Sequence, residues 1–193
     1  MRRRAYLGTL GAATVCGAVG FGLVSAEETL STPSVDADGP RRKALVFESD
    51  GTEVASFGAQ GTVRGDRIDV ETELWHRSDT LVERIELRVA MPAEDGGTAT
   101  DVAVTSPLQG DSSPPPALTL SVPRDDPGTV LEVTDLDDLA DETISTIGFV
   151  VTPRSEASGT LTVETRVALE STAVLASDYA LHGSLDLSFP SFA

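Results

Sequence analysis

Between Arg67 and Met91 apolar and polar residues alternate almost without a break. On the first arm Ile68, Val70, Thr72 and Leu74 fall on one side, and Asp69, Glu71, Glu73 and Trp75 on the other. On the second arm Ile85, Leu87, Val89 and Met91 alternate with Arg84, Glu86 and Arg88. A period of two belongs to half-buried strands. The spacing predicts one long β-hairpin turning over Ser78, Asp79, Thr80 and Leu81. In the register that puts both apolar rows on one face, Leu74 pairs with Ile85, Thr72 with Leu87, Val70 with Val89 and Ile68 with Met91. The outward pairs are then Trp75 with Arg84, Glu73 with Glu86 and Glu71 with Arg88. A slip of one residue would turn the apolar rows to solvent. Leu74, Ile85, Leu87 and Val89 are expected to be buried, and Asp69, Glu71, Arg84, Glu86 and Arg88 mostly exposed.

The rest of the chain after Lys43 reads the same way. Ala44–Phe47 is a first strand, Asp50-Gly51 a hairpin turn, and Glu53–Phe57 a second strand. Gly58 and Gly61 mark a loop. Further alternation or apolar runs appear around Val102, Leu118, Val130, Ile144–Val151, Leu161–Leu169 and Ala180–Phe189. The stretch from Asp135 to Glu142 is the only helical-looking one, a turn or two long. Eight to ten short strands with turn signals between them imply an all-β fold over residues 43–193. The expected form is a single antiparallel β-sandwich, immunoglobulin-like in general architecture. Residues 27–42, with Pro33, Asp36, Asp38, Gly39 and Pro40, read as a polar linker. No internal repeat of fixed period is visible.

Residues 1–26 are set apart by charge. They contain no acidic residue, open with Arg2, Arg3 and Arg4, and continue with an uncharged run from Ala5 to Ala26. This is a signal or anchor helix and not part of the sandwich. Arg3-Arg4-Ala5-Tyr6-Leu7-Gly8 resembles the twin-arginine export motif. The resemblance implies export of an already folded protein. Val24-Ser25-Ala26 offers a small-residue cleavage site, and the run from Ala5 is also long enough to stay as a membrane anchor. Cys16 is the only cysteine, so no disulfide can form within one chain. It follows bulky Val15, unlike a lipoprotein motif.

The chain carries a formal charge of −17, with 31 acidic residues against 14 basic ones. Asn is absent and Lys43 is the only lysine. Carboxylates everywhere, Arg in place of Lys, and abundant Ala, Val, Thr and Gly resemble the proteins of haloarchaea. In molar salt the Debye length falls to about 3 Å, so such charge hardly opposes folding. The same field argues against nucleic acid as a partner. Without Asn no N-x-[ST] glycosylation site exists.

The residues of familiar sites do not assemble. A blue-copper centre needs two His, a Cys and usually a Met. Here His76, His182, Met1 and Met91 are the only His and Met, and Cys16 lies in the leader. A serine triad needs a His beside its nucleophile. No G-x-S-x-G elbow is present, and both His read as surface or strand-edge residues. Asp135, Asp137, Asp138, Asp141 and Glu142 are weak calcium candidates without the spaced EF-hand pattern. Arg64-Gly65-Asp66 reads as an ordinary turn. Trp75 is singled out because it shares a face with Asp69, Glu71 and Glu73. It stacks on Arg84 in the hairpin register, or it marks a contact surface.

These features imply no catalytic residue and no cofactor. The expected function is that of an exported, non-catalytic β-sandwich module, secreted or at the cell surface, with a structural, binding or accessory role there. Its partner would be a protein or another surface component. It would touch a membrane only through residues 5–26, where the signal is not cleaved. The alternative is an extracytoplasmic hydrolase using a pair of carboxylates.

Overall fold

The computed structural model describes residues 27–91, 100–106, 118–121, 128–133, 144–153, 159–173 and 176–190. Residues 1–26 and the acidic stretch 134–143, with its calcium candidates Asp135, Asp137, Asp138 and Asp141, lie outside them. The strands are β1 (Glu27–Leu30), β2 (Ser34–Ala37), β3 (Arg42–Ser49), β4 (Thr52–Arg64), β5 (Arg67–His76), β6 (Thr80–Ala90), β7 (Thr100–Ser106), β8 (Leu118–Ser121), β9 (Thr129–Val133), β10 (Ile144–Pro153), β11 (Thr160–Ser171) and β12 (Asp178–Ser188). Sheet I has the order β1-β12-β11-β6-β9-β8, and sheet II the order β2-β3-β4-β5-β10-β7. Pairing is antiparallel except for β1 on β12. The fold is an all-β sandwich of immunoglobulin-like general architecture.

One core fills the space between the sheets. Sheet II contributes Leu45, Phe47, Phe57, Ile68, Val70, Leu74 and Phe149, and sheet I contributes Ile85, Leu87, Val89, Leu161, Val163, Leu181 and Leu187. Each such side chain gains about 1.5–3 kcal/mol by leaving water. Ile85, Leu87 and Val89 are at most 1% exposed and Leu74 3%, as the alternation requires. Glu71 and Arg84 are exposed, whereas Asp69, Glu86 and Arg88 are half-buried among charged neighbours.

The expected hairpin does not form. β5 belongs to sheet II, paired with β4 and β10, and β6 belongs to sheet I, paired with β11 and β9. Their apolar rows lie in opposite sheets and line one core from its two sides. Alternation along two arms is satisfied equally by either arrangement, because both bury the same residues. What excludes the hairpin is that both edges of β5 are taken. On one side β4 turns into β5 through Gly65-Asp66, with Arg64 opposite Arg67 and Gly65 at φ 66°. On the other side lies β10.

The connection Arg77–Asp79 is therefore an arch between sheets, and polar bonds hold it. His76 is 1% exposed and Thr80 3%, so this histidine is neither at the surface nor at a strand edge. His76 Nδ1 lies 3.0 Å from both Arg77 O and Thr80 Oγ1. A carbonyl only accepts, so Nδ1 carries the hydrogen. The Thr80 hydroxyl donates to the same carbonyl at 2.8 Å. Arg77 N–H donates to Val54 O, and Asp79 O accepts from Thr172 N–H, which ties the arch to β4 and to the end of β11. Arg77 also pairs with Asp79.

Two other expectations change. Residues 27–42 are not a tether, because they supply β1 to sheet I and β2 to sheet II. The expected loop at Gly58–Gly61 is the middle of β4, a strand of 13 residues. Gly61 is inward, and a Cβ there would collide with the Phe189 ring, which explains the glycine without a loop. Asp50 and Gly51, at φ 51° and 75°, form the expected two-residue turn.

Candidate functional site

The register places the outward side chains of sheet II in rows across the strands. One row runs Val46, Ser56, Trp75, Ile144. The next runs Ala44, Gly58, Glu73, Thr146, and the third Arg42, Gln60, Glu71, Gly148. The small residues Ala44, Ser56 and Gly58 leave a depression between taller neighbours, an open groove of about 660 Å³ that Glu71, Glu73 and Asp36 also line. Gln60 Nε2 donates to Glu71 at 3.2 Å. Glu73 makes no ion pair among the described residues.

Trp75 stands beside this groove, on the outward face as its phase requires. Its expected partner Arg84 is in the other sheet. Its strand neighbours are Ser56 and Ile144. Ile144 is 52% exposed, one of two large apolar residues so exposed among those described. The alternation located Trp75 but not Ile144, because Ile144 opens an apolar run in which the two faces cannot be told apart by pattern.

The outward face of sheet I is different. Glu86 and Glu132 are direct cross-strand partners, an unfavourable juxtaposition alone. Arg84 lies between them, 3.1 Å from Glu86 and 2.8 Å from Glu132. Arg166 reaches Glu86 at 3.3 Å and Arg88 reaches Glu164 at 3.7 Å. On sheet II, among the described residues, Asp69 is engaged by Arg64 at 2.7 Å and Arg67 at 3.2 Å, and Arg42 reaches Asp38 at 3.7 Å. Arg64-Gly65-Asp66 thus lies on the exposed β4–β5 turn with its arginine occupied.

Residues 27–191 match the family described as a domain of unknown function (DUF8121). The chain belongs to that family. The DUF8121 span begins at Glu27, so β1 and β2 are part of the domain. No curated protein matches the chain. Among solved structures it is similar to the GAE domain of GGA2p from Saccharomyces cerevisiae, at 9% identity, TM-score 0.33, over 83% of this chain and 99% of that one. It is similar to the collagen-binding domain from a Staphylococcus aureus adhesin, at 9% identity, TM-score 0.36, over 65% and 95%. A structure concerning Streptococcus parasanguinis adhesion by Fap1 fimbriae aligns at 10% identity, TM-score 0.37, over 70% and 80%. Likenesses this distant carry nothing about what the DUF8121 domain does.

The two histidines of this DUF8121 domain stand apart. His76 is inside the arch, and His182 is exposed on the outer side of β12. Among the described residues no group of His, Cys, Asp and Glu is arranged to hold a metal ion. No helix among them is long and apolar enough to cross a membrane.

Proposed function

We propose that this DUF8121 domain is an exported, non-catalytic sandwich that works by contact through the outer face of sheet II. The observation that carries this reading is exposed Ile144 beside half-buried Trp75, on a face whose described ion pairs, Arg42–Asp38 and Asp69 with Arg64 and Arg67, lie away from them. Apolar groups grouped at a surface mark contact more often than chance exposure does, and tryptophan is enriched where proteins meet partners. Export is supported by the charge and motif of residues 1–26. The acidic composition supports a salt-rich exterior, where the sandwich from Glu27 on should fold fully in molar NaCl and lose β-signal in circular dichroism on desalting.

The hydrolase alternative has one feature in its favour: Glu71 and Glu73 share the groove. They sit two residues apart on one strand, about 7 Å between Cα atoms. A glycosidase sets its two carboxyl groups on either side of the scissile bond. Glu71 and Glu73 rise from the same strand and the same face, so they approach a substrate from one side. Asp36 lines the same groove from β2, three strands away, so the preference for binding rests on Trp75 and Ile144 beside the groove.

The contact reading is tested by applying the labelled sandwich, residues 27–193, to envelopes of the cells that make it. Trp75→Ala with Ile144→Ser should keep the circular dichroism spectrum and lose binding at least about ten-fold, or 1.4 kcal/mol. Unchanged binding by the folded double variant would refute the contact face.

A further inference from the structure

Strand β1 begins at Glu27, the residue immediately after the small-residue site Val24-Ser25-Ala26. Glu27 is in register with Asp178 and Glu28 with Tyr179. The Glu28 carboxylate also accepts the Ser49 hydroxyl at 2.8 and 3.0 Å. The two residues that follow the cleavage site are therefore already held in the sandwich. A signal protease needs extended, free backbone on both sides of the bond it cuts. Exported folded, the domain would have to unzip the start of β1 before cleavage.

The same end of the sandwich carries Trp75 and Ile144. β12 begins at Asp178 beside Glu27, β11 ends at Ser171 beside β12, and β6 begins at Thr80 beside Ser171. The arch leads from Thr80 back to His76, next to Trp75, and Ile144 opens β10 beside Trp75. Trp75 thus lies one residue, or about 3.4 Å, from the end of its strand. The apolar run from Ala5 to Ala26 enters the sandwich at this end and is long enough to span a bilayer. Because β1 already begins at Glu27, an anchor ending at Ala26 would leave no spacer between a membrane and the domain.

We propose that residues 5–26 stay attached as a membrane anchor and that the Trp75–Ile144 end of sheet II lies against the lipid headgroup zone. This rests on the export reading and names the surface that the contact face meets. Trp suits that zone, with an apolar ring and one N–H donor. The many carboxylates at this end, among them Glu27, Glu28, Glu48, Asp50, Glu53, Asp79 and Asp178, call for neutral lipid, or for salt that shortens the range of repulsion.

Trp75 is the only tryptophan, so fluorescence reports its position without substitution. The full chain is reconstituted in phosphatidylcholine vesicles containing brominated lipid, in molar NaCl. Emission should be quenched about two-fold or more relative to unbrominated vesicles. Moving the probe to the opposite end of the same face, by Trp75→Phe with Thr62→Trp, should abolish the quenching. Equal quenching at both ends, or at neither, overturns the orientation. In cells the exported chain should keep residues 1–26 by mass. A spacer of about ten Gly and Ser residues after Ala26 should restore cleavage. An exported wild-type chain beginning at Glu27 overturns the anchor while leaving export intact. A spacer chain that stays uncut removes β1 as the protecting element. A chain confined to the cytoplasm defeats the export reading itself.

Discussion

The two outer faces of this sandwich are built from the same alternation and end up with different surfaces. On sheet I, Arg84, Glu86, Glu132 and Arg166 form a connected set, with Arg88 and Glu164 paired beside them. The charges of neighbouring strands satisfy one another, and the face is suited to water and ions. On sheet II the central rows hold Trp75 and Ile144, then Ala44 and Gly58, with Glu73 unpaired among the described residues. The difference shows that alternation reports which side chains point outward but not what the outward side meets. That depends on which strands become neighbours, since only neighbours can pair charges or place Trp75 beside Ile144.

The largest expected effect tests the neighbours themselves. With Cys16→Ser, the pair Gln60→Cys and Glu71→Cys should form a disulfide, because the two are cross-strand partners. Glu71→Cys with Arg88→Cys, partners only in the hairpin register, should form none, because bridging requires Cα atoms within about 7 Å. Mass spectrometry of the oxidised variants reads the outcome. The reverse result would restore the hairpin and dissolve the comparison of faces.

Core truncation comes next. Leu87→Ala on sheet I should cost about 2–5 kcal/mol in urea unfolding, by lost transfer energy and a cavity. A loss below about 1 kcal/mol would mean that the inner faces do not share one packed core.

The outer faces should respond far less. Glu86→Ala removes the carboxylate that Arg84 and Arg166 both reach. It should cost about 1 kcal/mol or less at low salt, and less again in molar NaCl. Glu71→Ala, which loses one exposed hydrogen bond from Gln60, should cost about 0.5 kcal/mol or less and hardly vary with salt. A larger, salt-sensitive loss at Glu71 than at Glu86 would mean that sheet II, not sheet I, carries the connected charges.

Much of the inner face was legible in the sequence. Leu74, Ile85, Leu87 and Val89 are buried where the period of two puts them, and the Asp50-Gly51 turn is where its residue types require it. The pairing was not legible. Arg166 and Glu86 are 80 residues apart, and nothing local distinguishes β11 from β5 as the partner of β6. His76 reads as a surface or strand-edge residue, yet it is buried in the arch with Nδ1 against Arg77 O and Thr80 Oγ1, contacts that exist only because β5 and β6 belong to different sheets. β1 and β2 have four residues each, too few to display a period among Pro33, Gly39 and Pro40. The site was half legible: Trp75 stood out by phase, while its neighbour Ile144 was hidden in an apolar run. The groove floor at Gly58 was hidden by reading glycine as a loop.

Adjacent residues on β5 offer the most direct test of the contact face. Leu74 points into the core and Trp75 out of it. Equilibrium unfolding of Leu74→Ala and Trp75→Ala in molar NaCl should separate them clearly. Leu74→Ala is expected to lose about 2–5 kcal/mol, and Trp75→Ala, half-buried on the outer face, about 1–2 kcal/mol, less than the roughly 3–5 kcal/mol of a tryptophan packed in a core. Equal losses of several kcal/mol would make Trp75 a packing residue and leave sheet II without a contact face.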